Sequence, residues 1–141
     1  MLSQVGIRVA MQTWPTATFF PKLTQATTSF FEFGWSPLTD AWPSLNAIVR
    51  SFSSEGTGTF NGGRYSNAGL DRLIDAIRVE PDAVRRRQIV GDALRAMNSD
   101  LPLIPLYRRT LTWVMRPHIN VAQWPNDVLE LRFVDIGEGH Q

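Results

Sequence analysis

The chain has no cysteine. Disulfides, thiolate metal sites and cysteine nucleophiles are therefore excluded. Histidine is nearly as scarce: His118 follows Pro117 in a loop and His140 lies in the tail. No HExxH, no phosphate-binding glycine loop and no nucleophile-elbow serine occurs. With so few parts for chemistry, the chain is not expected to be an enzyme or to hold a cofactor or metal. No apolar run approaches the roughly 18 residues of a membrane span. The first residues lack the basic region and apolar stretch of a signal peptide, which by itself predicts a cytosolic protein. Net charge is only +1. A basic face for nucleic acid is therefore not expected.

What is present is an ordinary globular balance. Of 141 residues, 43% are hydrophobic and 19% charged. A chain of this length that folds alone should bury roughly two-thirds of its unfolded surface. Five tryptophans stand out: Trp14, Trp35, Trp42, Trp113 and Trp124. Each is a large amphipathic ring with one N–H donor, and core packing is its ordinary use.

Ile7, Val9 and Met11 alternate with Arg8, Ala10 and Gln12. That period of two predicts a half-buried strand, ended by Trp14-Pro15. A helix is predicted over 16–25 with Thr18 as its cap, which keeps Pro21 in the first turn. A second, aromatic strand is predicted over 29–35, with Gly34 at its end. After a loop, Ser44 is expected to cap a helix over 45–52. The Ser/Gly/Thr-rich stretch 53–63 reads as a mobile loop. Asn67 caps the clearest helix, 67–79, with Leu70, Leu73, Ile74 and Ile77 on one face. Asp71 and Asp75 on its outer face would pair with Arg72 and Arg78. After Pro81-Asp82 comes a helix over 83–98, with Arg85, Arg86 and Arg87 on its wet side. Pro102 and Pro105 predict an irregular extended segment. Strands are expected over 110–115 and 128–133, and the tail 137–141 should fray. Strands alternating with helices make the fold class α/β, in a single domain over 1–141.

Three stretches carry a family resemblance. The first is Phe31-Glu32-Phe33-Gly34-Trp35-Ser36, with Asp40 and Pro43 following. The second is Arg64-Tyr65-Ser66-Asn67, continued by Leu70-Asp71-Arg72-Leu73-Ile74-Asp75-Ala76. The third runs from Asp82, Arg86, Arg87 and Ala93 to Asp100-Leu101-Pro102-Leu103-Ile104-Pro105-Leu106-Tyr107, then Trp113 and Arg116. In order and spacing, from about Val5 to Val134, they resemble the last part of family 5 of the extracytoplasmic solute-binding proteins. These are the dipeptide-, oligopeptide- and nickel-binding components of ABC importers. The resemblance implies part of one lobe of a type II periplasmic-binding-protein-like fold, with most of the ligand cleft outside this chain. It implies a periplasmic or other extracytoplasmic place for the full-length protein. The implied partners are a small-molecule or peptide ligand and ABC permease subunits. Two departures are visible. Leu38 stands where peptide-binding members carry the aspartate that anchors the peptide amino group, so the implied ligand widens to small polar solutes. Ala68 replaces the usual proline at the helix start.

Ligands of open α/β sheets bind at loops beyond strand ends. Trp35, Ser36, Thr39, Asp40 and Trp42 are therefore candidate ligand-binding residues. The indoles would flank an apolar or planar group, the hydroxyls donate hydrogen bonds, and Asp40 pair with an ammonium. The competing reading has both tryptophans packed beneath the loop and Asp40 capping the next helix. Arg64, after Gly62-Gly63, is a candidate for a ligand carboxylate or else a solvated surface residue. A reading from another class is a free-standing interaction or dimerisation module. The fragment would expose surface normally covered by missing strands, so self-association is expected of it.

Overall fold

A computed structural model describes residues 2–28, 30–36 and 40–137. Four helices carry the architecture: α1 (Thr16–Thr24), α2 (Ala41–Ile48), α3 (Ala68–Val79) and α4 (Ala83–Asp100). Two short strands, β1 (Ile119–Val121) and β2 (Val134–Ile136), pair antiparallel with Asn120 opposite Asp135. Single 3₁₀ turns cover Leu2–Val5 and Leu131–Phe133.

The caps explain where helices begin. Asn67 accepts from the N–H groups of Gly69 and Leu70, and Asp82 from those of Val84 and Arg85. Each satisfies two donors that a helix start leaves unpaired. Leu101 ends α4 in the left-handed region, its N–H returning to the Met97 carbonyl. The buried face of α3 is Leu70, Ile74 and Ile77, as the 3.6-residue period predicts. They join Leu45 and Val49 from the α2 side and Ala93 of α4 in one core.

Several local expectations are corrected. The helix expected over 45–52 begins four residues earlier. Asp40, not Ser44, is its cap, with Oδ1 2.7 Å from the Trp42 nitrogen. Pro43 fits because an N–H in the first turn has no intrahelical partner. Helix α1 begins at Thr16, which makes Pro21 its sixth residue. The first turn closes on the Pro15 carbonyl, which accepts from both Thr18 and Phe19. The stretch 53–63 is pinned, not loose. Gly58 and Phe60 donate to the Asn46 and Ala47 carbonyls, and Thr57 Oγ1 donates to the Ser51 carbonyl. Gly58 (φ +59°) makes this possible, since a Cβ there would stand 2.3 Å from the Arg50 oxygen. Buried Asn61 closes the loop, donating to the Arg50 and Tyr65 carbonyls and accepting from the Tyr65 N–H. Asp71 and Asp75 do not pair with Arg72 and Arg78. Asp71 caps the Ser51 N–H at 3.0 Å, and Asp75 receives both terminal nitrogens of Arg50.

The strands expected over 6–12, 29–35 and 110–115 are not paired strands among the described residues. In the stretch 128–133, pairing starts only at Val134. A helix satisfies its own backbone, but a strand needs a second segment beside it. These segments keep the period-two pattern without a partner. Ile7, Val9, Met11 and Val114 are consequently exposed. The accessible surface is 11,184 Å². A compact monomer of 15.9 kDa should expose only about 7,400 Å², out of roughly 23,000 Å² unfolded. The chain thus buries about half of its unfolded surface, less than the two-thirds expected from length.

Candidate functional site

The candidate residues fall into three local structures. The first is the start of α2. Asp40 Oδ1 caps the helix through Trp42, and Oδ2 receives Arg86 Nη2 of α4. The Trp42 N–H, followed by the Arg86 guanidinium, holds the Asp40 carboxyl below the usual carboxylate range. The pair is only partly covered, with side chains 40% and 30% exposed. A shallow, open cavity of about 220 Å³ lies beside it, lined by Asp40, Ala41, Arg86, Arg87 and Val90. Its lining thus brings one acidic and two basic residues together with two aliphatic ones. The carboxylate is already engaged by one of the guanidiniums, so a ligand ammonium would compete with Arg86 for it.

Trp42 follows in the first turn of α2. It packs against the core cluster, and the Arg78 guanidinium lies 5.4 Å from its ring centre. Its indole N–H is buried without an acceptor among the described residues. Such an orphan donor costs about 1–3 kcal/mol.

The second structure is an aromatic row. Trp35 meets Phe33 and Phe60 edge-on, with centroids 6.2 and 5.4 Å away. Phe60 continues to Phe20 at 5.6 Å, and Phe33 to Phe31 at 5.9 Å. The three edge-to-face pairs, Phe20–Phe60, Trp35–Phe33 and Trp35–Phe60, contribute roughly 0.5–1.5 kcal/mol each beyond burial, while Phe31 and Phe33 are tilted. Trp35 Nε1 donates to Ser44 Oγ at 3.0 Å, so the serine expected to cap a helix instead orients the indole. Trp35 remains 36% exposed, and Ser36 beside it is exposed. Thr39 and Leu38 lie outside the described residues.

Arg64 forms the third. Its Nη2 donates to the Thr24 carbonyl at 2.7 Å, and its guanidinium sits 3.5 Å from the centre of the Phe52 ring. Its backbone is left-handed (φ +53°). The side chain thus ties the end of α1 to the loop before α3. Its contacts run to α1 and Phe52, whereas those of Asp40 run to α4. The structure does not gather the candidates around one cavity. Asp40 and Trp42 share a helix start, Trp35 reaches the same helix through Ser44, and Arg64 is committed elsewhere.

Sequence reasoning missed Arg86, Arg87 and Val90 at the cavity. The arginine run reads as a wet face, and nothing local announces a partner 46 residues away. It also missed a second cluster. Tyr65 Oη donates to Asp100 Oδ2 at 2.5 Å, and Asn67 Nδ2 donates to the same oxygen at 2.7 Å. These two donors hold the Asp100 carboxyl below its ordinary range. Burial, and then the bond to Asp100, raises the Tyr65 phenol. Asp100 closes α4 and Asn67 opens α3, so one carboxylate ties the far end of one helix to the start of the other.

Among known proteins, no family model matches the chain, and no solved structure gives a significant match. Curated relatives include uncharacterized lipoproteins of Mycobacterium bovis and Mycobacterium tuberculosis, each 33% identical over 51 residues. The matched stretch is 36% of this chain and 9% of the relative's length. No helix among the described residues is long and apolar enough to cross a membrane.

Proposed function

We propose that this chain belongs to the solute-binding component of an ABC-type importer. It would act outside the cytoplasm, capturing a peptide or other small polar solute and presenting it to a membrane permease. Similarity to lipoproteins is compatible with an extracytoplasmic place. The observation that carries the reading is the Tyr65–Asp100–Asn67 cluster. Tyr65 and Asn67 belong to one of the stretches that resemble the family, and Asp100 to another. They are 35 and 33 residues apart in sequence yet share one carboxylate oxygen. The contact brings two of the resembling stretches together in the fold.

In this reading no bond of the solute is made or broken. Closure of two lobes on the solute creates the docking surface for the permease. Asp40 and Trp35, both held on α2, are this lobe's contribution to the cleft. Titration of tryptophan fluorescence in the full-length protein with dipeptides, tripeptides, sugars and nickel chelates tests it. A saturable change is expected for one class, and Asp40→Ala should weaken that affinity at least tenfold, about 1.4 kcal/mol. The reading is lost if no class gives saturation and the neighbouring genes encode neither a permease nor an ATPase.

A further inference from the structure

The cavity beside the start of α2 carries more positive than negative charge. Its lining sets Asp40 against Arg86 and Arg87. Both oxygens of Asp40 are already engaged, Oδ1 by the Trp42 N–H and Oδ2 by Arg86 Nη2. A carboxylate so occupied is a poor anchor for an ammonium, which would have to displace a guanidinium to reach it. The cations are placed differently. Helix α4 carries Arg85, Arg86, Arg87 and Arg95. Arg85 meets Glu80 at 3.2 Å, Arg86 meets Asp40, and Arg95 meets Asp92. Arg87 meets no carboxylate among the described residues, and it lines the cavity. Ala41 and Val90 beside it are aliphatic.

We propose that this cavity takes the carboxylate of an acidic solute, with Arg87 as its principal partner and Arg86 beside it. Asp40 is then a positioning residue that holds Arg86, and not the anchor of an ammonium. The inference rests on the solute-binding reading and deepens it by naming the solute class: a small acid with an apolar group next to its carboxylate. A guanidinium offers paired N–H donors that match the two oxygens of a carboxylate. Arg86 has five such donors, and Asp40 takes one of them. The aliphatic side chains of Ala41 and Val90 suit the apolar group of the solute.

Calorimetric titration of the full-length protein with two matched probes tests it. N-acetyl-L-leucine has a carboxylate and no ammonium; L-leucinamide has the reverse. At about pH 6 the leucinamide amine is charged, because an α-amino group titrates at roughly 7.7–8.0. Saturable binding of N-acetylleucine and none of leucinamide is expected. Arg87→Gln should weaken that binding roughly tenfold or more, since a charged pair is lost. Arg87→Lys keeps the charge without the fork and should recover part of it. Asp40→Asn should bind N-acetylleucine at least as tightly as the unaltered protein. Asparagine keeps the helix cap that alanine loses, and it removes a negative charge beside the bound anion. Leucinamide binding without N-acetylleucine binding overturns the proposal. So does an Arg87→Gln variant with unchanged affinity, or an Asp40→Asn variant weakened as much as Asp40→Ala. Those outcomes leave the solute-binding reading standing, as does binding of a sugar with neither probe, which also overturns the proposal. Binding of no solute of any class removes both.

Discussion

The stretch from Asp40 to Asp100 and the stretch from Leu101 to Gly137 are both rich in apolar residues, yet they bury them very differently. The first contains the whole α2–α3–α4 core, and three of its members, Ile74, Ile77 and Ala93, are fully enclosed. The second contributes partly buried Leu103 at the core edge and leaves Val114 at 94% exposure. Hydrophobicity does not separate them. Their elements do: three helices with capped starts can pack as soon as they form, whereas extended segments wait for partners. Burial of apolar side chains therefore follows backbone self-sufficiency here.

Substitutions sharpen that contrast. Ile74→Ala should cost about 3 kcal/mol, read as a lowered urea midpoint, because it opens a cavity where nothing is exposed. The same truncation at Val114 should stay within about 0.5 kcal/mol, since water already surrounds it. Equal effects at the two sites would mean that the extended segment is covered in solution.

Asn61→Ala is the next largest expected change, about 2 kcal/mol. It leaves the carbonyls of Arg50 and Tyr65 and the Tyr65 N–H without their partner. Hydrogen exchange should then quicken through residues 50–65 while α4 stays protected. Gly62→Ala should cost about 1–2 kcal/mol, because a Cβ there would come within 2.3 Å of Leu23 Cδ1 and 3.0 Å of the Leu23 oxygen. A neutral Gly62→Ala would show that α1 is free to move away from the helical block.

The smallest effect is a pH dependence. Folding lowers the carboxyls of Asp40 and Asp100 below their ordinary value of 3.8. The unfolded state therefore binds protons more tightly. The stability these groups contribute is present above pH 3.8 and fades as pH falls toward their folded values. Asp40→Asn and Asp100→Asn should each flatten the acid limb of the stability curve. An unchanged limb in both would mean that these two carboxylates contribute through geometry alone. Both groups are open to solvent, so the effect should also shrink in high salt.

Much of the helical block is legible in the sequence because its signals are local. Asn67, the stripe Leu70-Leu73-Ile74-Ile77 and the Pro81-Asp82 restart lie within a few residues of what they determine. The site is less legible. Asp40 offers two uses in the sequence, ligand anchor or helix cap. The structure makes it a cap that also binds Arg86, beside a cavity. Ser44 and Trp35 lie nine residues apart, and no pattern in the string marks their hydrogen bond. The Ser/Gly/Thr composition of 53–63 suggests freedom. Gly58 and Gly62 instead permit the close approaches that fix it.

The sequence by itself determined where the clearest helices start, which face of α3 turns inward, and which segments carry a strand's alternation. Those properties depend on residues within a turn or two of one another. Only the tertiary structure decided that Asp100 would join the two helices, that Arg86 would meet Asp40, and that the alternating segments would stay unpaired among the described residues. Each of these depends on groups distant in the chain. Bringing such groups together, or failing to, follows from packing and closure of the intervening chain, which a local pattern does not encode.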